Sequence, residues 1–270
     1  MSERRSVRIR NCVFNVIMDR DIDFFGRHWD ALENGEEEPA TFQMMESLIN
    51  KDTTVIEVGA WIGTMALYEA RLGKIVYAFE ADPVALKSLQ NNVAQNPDME
   101  NIRVVGKVVS ESSGRQKLYS EHSGNNSASS IYKVDGKTVW EIEAVNLDDF
   151  IVEQGIEGPI FLNVDIEGGE YAVLPALKIF SMNQKIQMCL SLHPHLLAQS
   201  VEGNGLLAKI RRRLVLLWKN YKVLRVSTHF SRMLDANLLP TSKSAVLWDL
   251  LIRGKLDVDK KELFFLTDTH

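Results

Sequence analysis

The residues with the most chemical potential in this chain are carboxylates that follow apolar runs and sit beside glycines. Val55-Ile56-Glu57-Val58-Gly59-Ala60-Trp61-Ile62-Gly63 reads as a strand, a glycine turn and the opening of a helix. Tyr77-Ala78-Phe79-Glu80-Ala81-Asp82-Pro83 then reads as a second strand ending in an acid. That order suits a nucleoside cofactor, because glycines let backbone approach the ligand and the second acid can accept both ribose hydroxyls. A dinucleotide fingerprint needs Gly at 59, 61 and 64, whereas this chain has Trp61 and Thr64. Glu57, two residues before the first glycine, suits a cationic methionine-like group better than a pyrophosphate. S-adenosylmethionine (SAM) therefore fits these residues better than NAD.

A third site follows the apolar run Phe161-Leu162-Asn163-Val164, where Asp165, Glu167 and Glu170 fall within six residues. Acids at a helix start meet the macrodipole favourably, and that accounts for Glu170. It accounts poorly for Asp165, which ends a buried strand where an unpaired charge is costly. His193, in Ser191-Leu192-His193-Pro194-His195, ends a further apolar run. An imidazole titrates near neutral pH, so His193 is the expected general base, with Asp165 orienting it or binding an acceptor hydroxyl. Glu167 is expected to brace the loop or reach the acceptor. Alternatively, Asp165, Glu167 and His193 supply ligands to Mg²⁺ or Mn²⁺. The spacing leaves metal use undecided.

These groups need a scaffold that brings strand ends together. Strands are expected at 54–59, 75–80, 102–109, 160–165, 186–192, 221–227 and 262–267, with helices at 63–72, 84–95, 168–180 and 205–219. Near-continuous apolar strands alternating with helices predict a parallel sheet covered on both faces, with ligands beyond the carboxyl ends of the strands. Turn-prone residues at Ser113-Gly114, 121–130 and Asp135-Gly136 interrupt the alternation and predict a β-hairpin insertion over about 111–150. Residues 1–50 read as an accessory segment, with a strand at 13–18 and a helix from Ala40 to Ile49, ahead of a main domain at 51–270.

Composition limits the function classes. At 270 residues the chain buries enough apolar surface to need no staples. Its net charge of −5 argues against a nucleic-acid partner held by phosphate neutralisation. Cys12 and Cys189 form no disulfide framework and suit a reducing cytoplasm. No apolar run reaches the ~18 residues of a membrane span, and the basic N-terminus lacks the apolar core of a signal peptide. The basic cluster Lys209 to Arg213, with Trp218, Lys219 and Lys222, reads as a solvated helix face or as an attraction for an anionic acceptor.

Together these segments resemble the FkbM family of class I SAM-dependent methyltransferases. The likeness rests on Glu57 to Gly63, Glu80 to Pro83, Asn126 to Ser130, Val145 to Asp149, Asn163 to Glu170 and the upstream Glu38-Pro39. It implies a Rossmann-like α/β fold with a mostly parallel seven-stranded sheet. It also implies an O-methyltransferase acting on a hydroxyl of a sugar, glycoconjugate or related metabolite. The cofactor residues carried over are Glu38, Glu57, Gly59, Ala60, Trp61, Gly63, Glu80, Ala81 and Asp165, with Lys107 beside the adenine. The family commonly has Asn where Trp61 stands, and Lys or another polar residue at Asn163. Ser129 and Ser130 are candidates to line an acceptor pocket. N-methylation of a small metabolite, an NAD-dependent oxidoreductase and a non-catalytic SAM-binding module are the alternatives, and an oligomer is compatible with all of them.

Overall fold

The structure, a computed structural model, describes residues 2–19, 23–120, 129–130, 138–182, 185–199, 201, 203, 205–251 and 261–268. It opens with a hairpin of β1 (Ser2–Ile9) and β2 (Cys12–Asp19), then helices α1 (Asp23–Glu33) and α2 (Pro39–Leu48). There follow β3 (Thr54–Val58), α3 (Thr64–Leu72), β4 (Ile75–Phe79), α4 (Pro83–Ala94) and β5 (Ile102–Val105). The middle of the chain forms β6 (Val108–Ser110), β7 (Gly114–Ser120), β8 (Ser129–Ser130), β9 (Thr138–Asn146) and α5 (Leu147–Glu153). The remainder comprises β10 (Ile160–Val164), α6 (Glu170–Val173), α7 (Ile179–Met182), β11 (Ile186–Leu192), α8 (Pro194–Gln199), α9 (Leu206–Leu224), β12 (Arg232–Asp235), α10 (Lys243–Leu251) and β13 (Lys261–Leu266).

Seven strands form the central sheet in the order β12-β13-β11-β10-β3-β4-β5. All neighbours pair in parallel except β13, which runs antiparallel to both β11 and β12. The inner strands β3, β10 and β11 are buried along their whole length. Their alternate side chains feed two apolar clusters, with Ile56, Val58 and Leu162 in one and Val55, Phe161 and Cys189 in the other. Burial of both sheet faces explains why these strands read as unbroken apolar runs. From β3 the chain proceeds one way to β4 and β5, and it later returns to place β10 and β11 on the other side. The switch point therefore falls between β3 and β10, where such sheets open a crevice.

Three sequence expectations are corrected. The strand expected at 221–227 is the end of α9 followed by a 3-10 turn, and the seventh strand is β12. Tyr221 to Val226 alternates like a strand, but Val223 and Leu224 continue the buried helical face of Leu216 and Asn220. The helix expected over 168–180 is broken into α6, a 3-10 turn and α7, because Pro175 lacks the N–H that would continue it. The strand expected over 102–109 divides at Gly106-Lys107, β5 staying in the main sheet and β6 pairing with β9. Beyond that division β6, β9, β7 and β8 form a separate four-stranded sheet, the core of the insertion. Helices α1, α5, α8 and α10 and strand β1 escaped the sequence reading.

The N-terminal hairpin is tied to the main sheet's flanking helix by side-chain amides. Asn15 N–H donates to Asn96 Oδ1 at 2.8 Å, and Ile17 N–H donates to Asn92 Oδ1 at 2.7 Å. Asn92 Nδ2 donates in turn to the Ile62 carbonyl at 2.8 Å. One buried amide thus joins the hairpin, α4 and the loop after β3. Replacing Asn92 with Ala strands a carbonyl and an N–H. The expected cost is about 2–4 kcal/mol in chemical denaturation, reading two lost buried hydrogen bonds.

Candidate functional site

A cleft of about 320 Å³ lies beyond the carboxyl ends of β3, β4 and β10. Its floor is set by how closely β3 meets β10. Gly59 has φ +96°, and a Cβ built there would stand 2.0 Å from the Asp165 carbonyl oxygen. Asp165 N–H donates to the Val58 carbonyl at 2.9 Å, so the two strand ends are locked together. Only glycine fits this approach. Gly63 has a different role. It starts α3 with φ +94°, its position packs against Leu89, and it does not line the cleft. The remaining expected site residues do: Glu38, Glu57, Gly59, Ala60, Trp61, Glu80, Ala81, Lys107, Asp165, Glu167 and His193.

Glu80 is built into two loops at once. Its Oε2 accepts Trp61 N–H and its Oε1 accepts Asp82 N–H, both at 2.7 Å. Each oxygen keeps a lone pair for a further donor. Burial pushes the Glu80 carboxyl up to about 7, although the two N–H bonds pull it down. Asp82, in the same motif, caps α4 by accepting from Val84 and Ala85 N–H.

Glu57 lies at the base of the cleft, buried beside Glu69 of α3. Glu57 Oε2 and both Glu69 oxygens lack a conventional donor among the described residues. Two carboxyls at hydrogen-bonding range must share a proton. Burial, reinforced by repulsion from Glu69, holds Glu57 well above the ordinary carboxylate range, and burial lifts Glu69 to about 7. Asn163, opposite Glu57 in the β3–β10 register, stands beside both carboxyls and draws their pKa values part of the way back down. A buried acid with an unanswered oxygen is what a cofactor ammonium would neutralise.

His193 sits where β11 ends, only 4% exposed. Its backbone N–H donates to Glu170 Oε1 at 2.7 Å, and its Nδ1 lies 3.5 Å from the same oxygen. Its Nε2 is 3.3 Å from Asp165 Oδ1 and 3.9 Å from Glu167 Oε2. Burial alone would lower the imidazole pKa, but Glu170, Asp165 and Glu167 outweigh it and raise it to about 9. Two sequence readings change here. Glu170 is more than helix-dipole charge, since it is wholly buried and holds His193 from behind. Asp165 is not buried, for its side chain is 33% exposed toward the cleft. Among the described residues no group of three His, Cys, Asp or Glu side chains is arranged to hold a metal ion.

Of the wall contributed by the N-terminal segment, the sequence reading named Glu38 and missed His28, Glu37 and Thr41. His28 of α1 bonds Glu37 Oε2 through Nδ1 at 2.7 Å and Thr64 Oγ1 through Nε2 at 3.2 Å. Its ring meets Trp61 edge-on, with centroids 4.9 Å apart. Glu38 accepts from Thr41 Oγ1 at 2.8 Å. The available signal was the pair Trp29 and Leu32, buried three residues apart on α1. Glu38, Trp61 and Glu167 also have left-handed φ of 56°, 48° and 33°. Non-glycine residues rarely adopt that conformation, and here three of them rim one cleft.

Other motif segments prove to be scaffolding. Asn146 caps α5 by accepting from Asp148 and Asp149 N–H, and Asp148 accepts from Lys178 and Ile179 N–H. Lys107 pairs with Glu143 at 3.2 Å beside the cleft. Of Asn126 to Ser130, residues 126–128 lie outside the described residues, and so do the side chains of Ser129 and Ser130.

The model of the methyltransferase FkbM domain matches residues 57–213, more than half of the chain. The chain belongs to the FkbM methyltransferase family. Its fold is the Rossmann-like α/β fold of class I SAM-dependent methyltransferases. Ribosomal protein L11 methyltransferase of Streptococcus thermophilus is 39% identical over 61 residues, covering 22% of this chain and 19% of that protein. This chain thus spans about a fifth of the length of the curated relatives it matches. A solved FkbM methyltransferase from Methylobacillus flagellatus KT has a TM-score of 0.45 at 18% identity, covering 88% of this chain and 54% of that one. A TehB-like SAM-dependent methyltransferase from Corynebacterium glutamicum has a TM-score of 0.39 at 9% identity, covering 92% and 98%.

SAM is the cofactor of this fold family, and the cleft fits it. Glu80 would take the ribose diol and Glu57, backed by the buried Glu69, the ammonium, while Ala60 and Trp61 frame the turn between them. Ribose hydroxyls donate best to an ionised Glu80. Affinity for the demethylated cofactor, S-adenosylhomocysteine, should therefore fall as pH drops through about 7. Titration calorimetry is expected to show a roughly tenfold weaker Kd at pH 6 than at pH 8, with the dependence lost in Glu80→Gln. Gly59→Ala should destabilise the protein by about 3 kcal/mol or more, read by thermal unfolding.

Proposed function

We propose that this chain is a SAM-dependent O-methyltransferase that methylates a hydroxyl of a sugar, glycoconjugate or related metabolite. The observation that carries the reading is the Asp165–His193–Glu170 array at the methyl end of the cleft, with Asp165 exposed and His193 held behind it. Residues 51–270 are the methyltransferase domain in this reading, and residues 1–50 are an accessory segment that walls the cofactor.

A bound SAM supplies an activated methyl group, so much of the barrier is lowered by positioning. An alcohol still needs its proton removed as the oxygen becomes methylated. In this reading Asp165 takes the acceptor hydroxyl as a hydrogen-bond partner, and His193 receives the proton through Nε2. Glu170 fixes the ring and stabilises the imidazolium that forms. Glu167, on the same Nε2 side of His193 as Asp165, braces the loop or reaches the acceptor. The carboxylates around His193 favour its protonated form at neutral pH. A sulfonium held beside it would oppose that charge and bring the imidazole pKa down toward the working range.

Both cysteines are buried free thiols, which supports a reducing cytoplasm as the compartment. No helix among the described residues is long and apolar enough to cross a membrane.

Two measurements test the proposal. With saturating SAM, His193→Ala should lower kcat by about 10²–10⁴-fold while leaving S-adenosylhomocysteine affinity nearly unchanged. Glu170→Gln removes a negative charge from His193, so the rising limb of the kcat/KM–pH profile should move to lower pH. For the acceptor, methyl-labelled SAM should be incubated with nucleotide sugars, polysaccharides and small metabolites. Label is expected in hydroxylated saccharide or metabolite fractions, and label confined to amines or protein would overturn the O-methyl reading.

A further inference from the structure

Helix α9 has one face too many. Its inner side buries Leu216, Asn220, Val223 and Leu224 against the domain. Leu206, Leu207, Ile210, Leu214, Trp218 and Tyr221 all face solvent, Leu207 at 83% and Trp218 at 56% exposure. At 3.6 residues per turn these six fall in an arc of about 120°, turned away from Leu216 and Val223. A surface helix normally presents charge on that side, so a continuous apolar stripe there signals a partner.

The borders of the stripe indicate which partner. On the helical wheel Arg211 and Lys222 flank one edge and Arg213 the other. The helix carries six Lys and Arg residues and no acid, within a chain of net charge −5. Lys222 Nζ lies 4.9 Å over the Trp218 ring, placing a cation at the aromatic end of the stripe. A nucleic acid would answer the cations but leave four aliphatic side chains in water. A second copy packed face to face would set cationic borders against each other, with no acid on the helix to answer them. An anionic bilayer surface satisfies both halves of the pattern, because aliphatic and aromatic side chains enter the headgroup–acyl boundary and the cations meet lipid phosphates.

We propose that α9 is a membrane-surface docking helix that lays its Leu206–Tyr221 stripe into an anionic lipid bilayer. The topology gives the docking a consequence. Strands β11 and β12 are parallel, so α9 runs from the cleft edge of the sheet back to the opposite edge. Its Leu206 end is therefore on the side where the cleft opens, and docking brings that edge of the enzyme to the lipid surface. The helix binds at the interface and does not span.

Flotation of the full chain with phosphatidylcholine vesicles, with or without phosphatidylglycerol, tests this directly. Partitioning onto the anionic vesicles should be at least ~10-fold stronger, fall with added salt and be accompanied by a blue shift in tryptophan fluorescence. Ile210→Asp with Leu214→Asp should abolish it, and Arg211→Glu with Arg213→Glu should weaken it by at least ~10-fold. All four side chains are exposed on the helix surface, so thermal unfolding of both variants should match the parent. The proposal is overturned by absence of partitioning, by partitioning that ignores both pairs of substitutions, or by the Asp pair converting a dimer to monomers without changing lipid binding.

Discussion

The structure depends on a single backbone approach, where the end of β3 meets the end of β10 at Gly59 and Asp165. A side chain at 59 would occupy the space of the Asp165 carbonyl, so the strands can close only with glycine there. Once they close, Asp165 N–H caps Val58, Asp165 turns its carboxylate into the cleft, and the loop to Trp61 is thrown toward Glu80. The turn at Trp61 and the Asp165–His193 array are thus two consequences of one contact at the switch point. Neither loop could move without disturbing the other.

Around this contact the site concentrates carboxyl groups, most of them buried. The Glu57–Glu69 pair, Glu80 and the carboxylates about His193 all lie in or against one cleft, and burial pushes Glu57, Glu69 and Glu80 upward. Such an arrangement costs folding free energy, and it suits a ligand that carries both an ammonium and a sulfonium. A dinucleotide would bring phosphates into the same space and meet repulsion. The electrostatics therefore favour the cationic cofactor for the same reason that the chain tolerates left-handed Glu38, Trp61 and Glu167 at the rim. Stability is given up where binding can return it.

Much of this was legible along the chain. The strand–turn–helix around Glu57 to Gly63, the acid at Glu80 and the acids after β10 are local patterns, and local patterns survive in one dimension. Asp165 and His193 also converge as the alternation of strands and helices implies, because parallel neighbours deliver their carboxyl ends to one edge. The departures arise where neighbours in space are distant in sequence. Glu170 read as helix charge until His193 packed against it. His28 carried no signal as an isolated histidine, for its meaning comes from Trp61 and Thr64.

The sequence by itself determined the elements and their chemistry: which strands are buried on both faces, which turns need glycine, and which carboxylates end those strands. It could do so because burial and turn geometry impose short periods and fixed residue types. Tertiary structure alone decided which acids share a proton, which charge faces the imidazole, and that Tyr221 to Val226 extends a helix and forms no strand. Those outcomes depend on dielectric and distance, and both are set only when segments far apart in the chain are packed together.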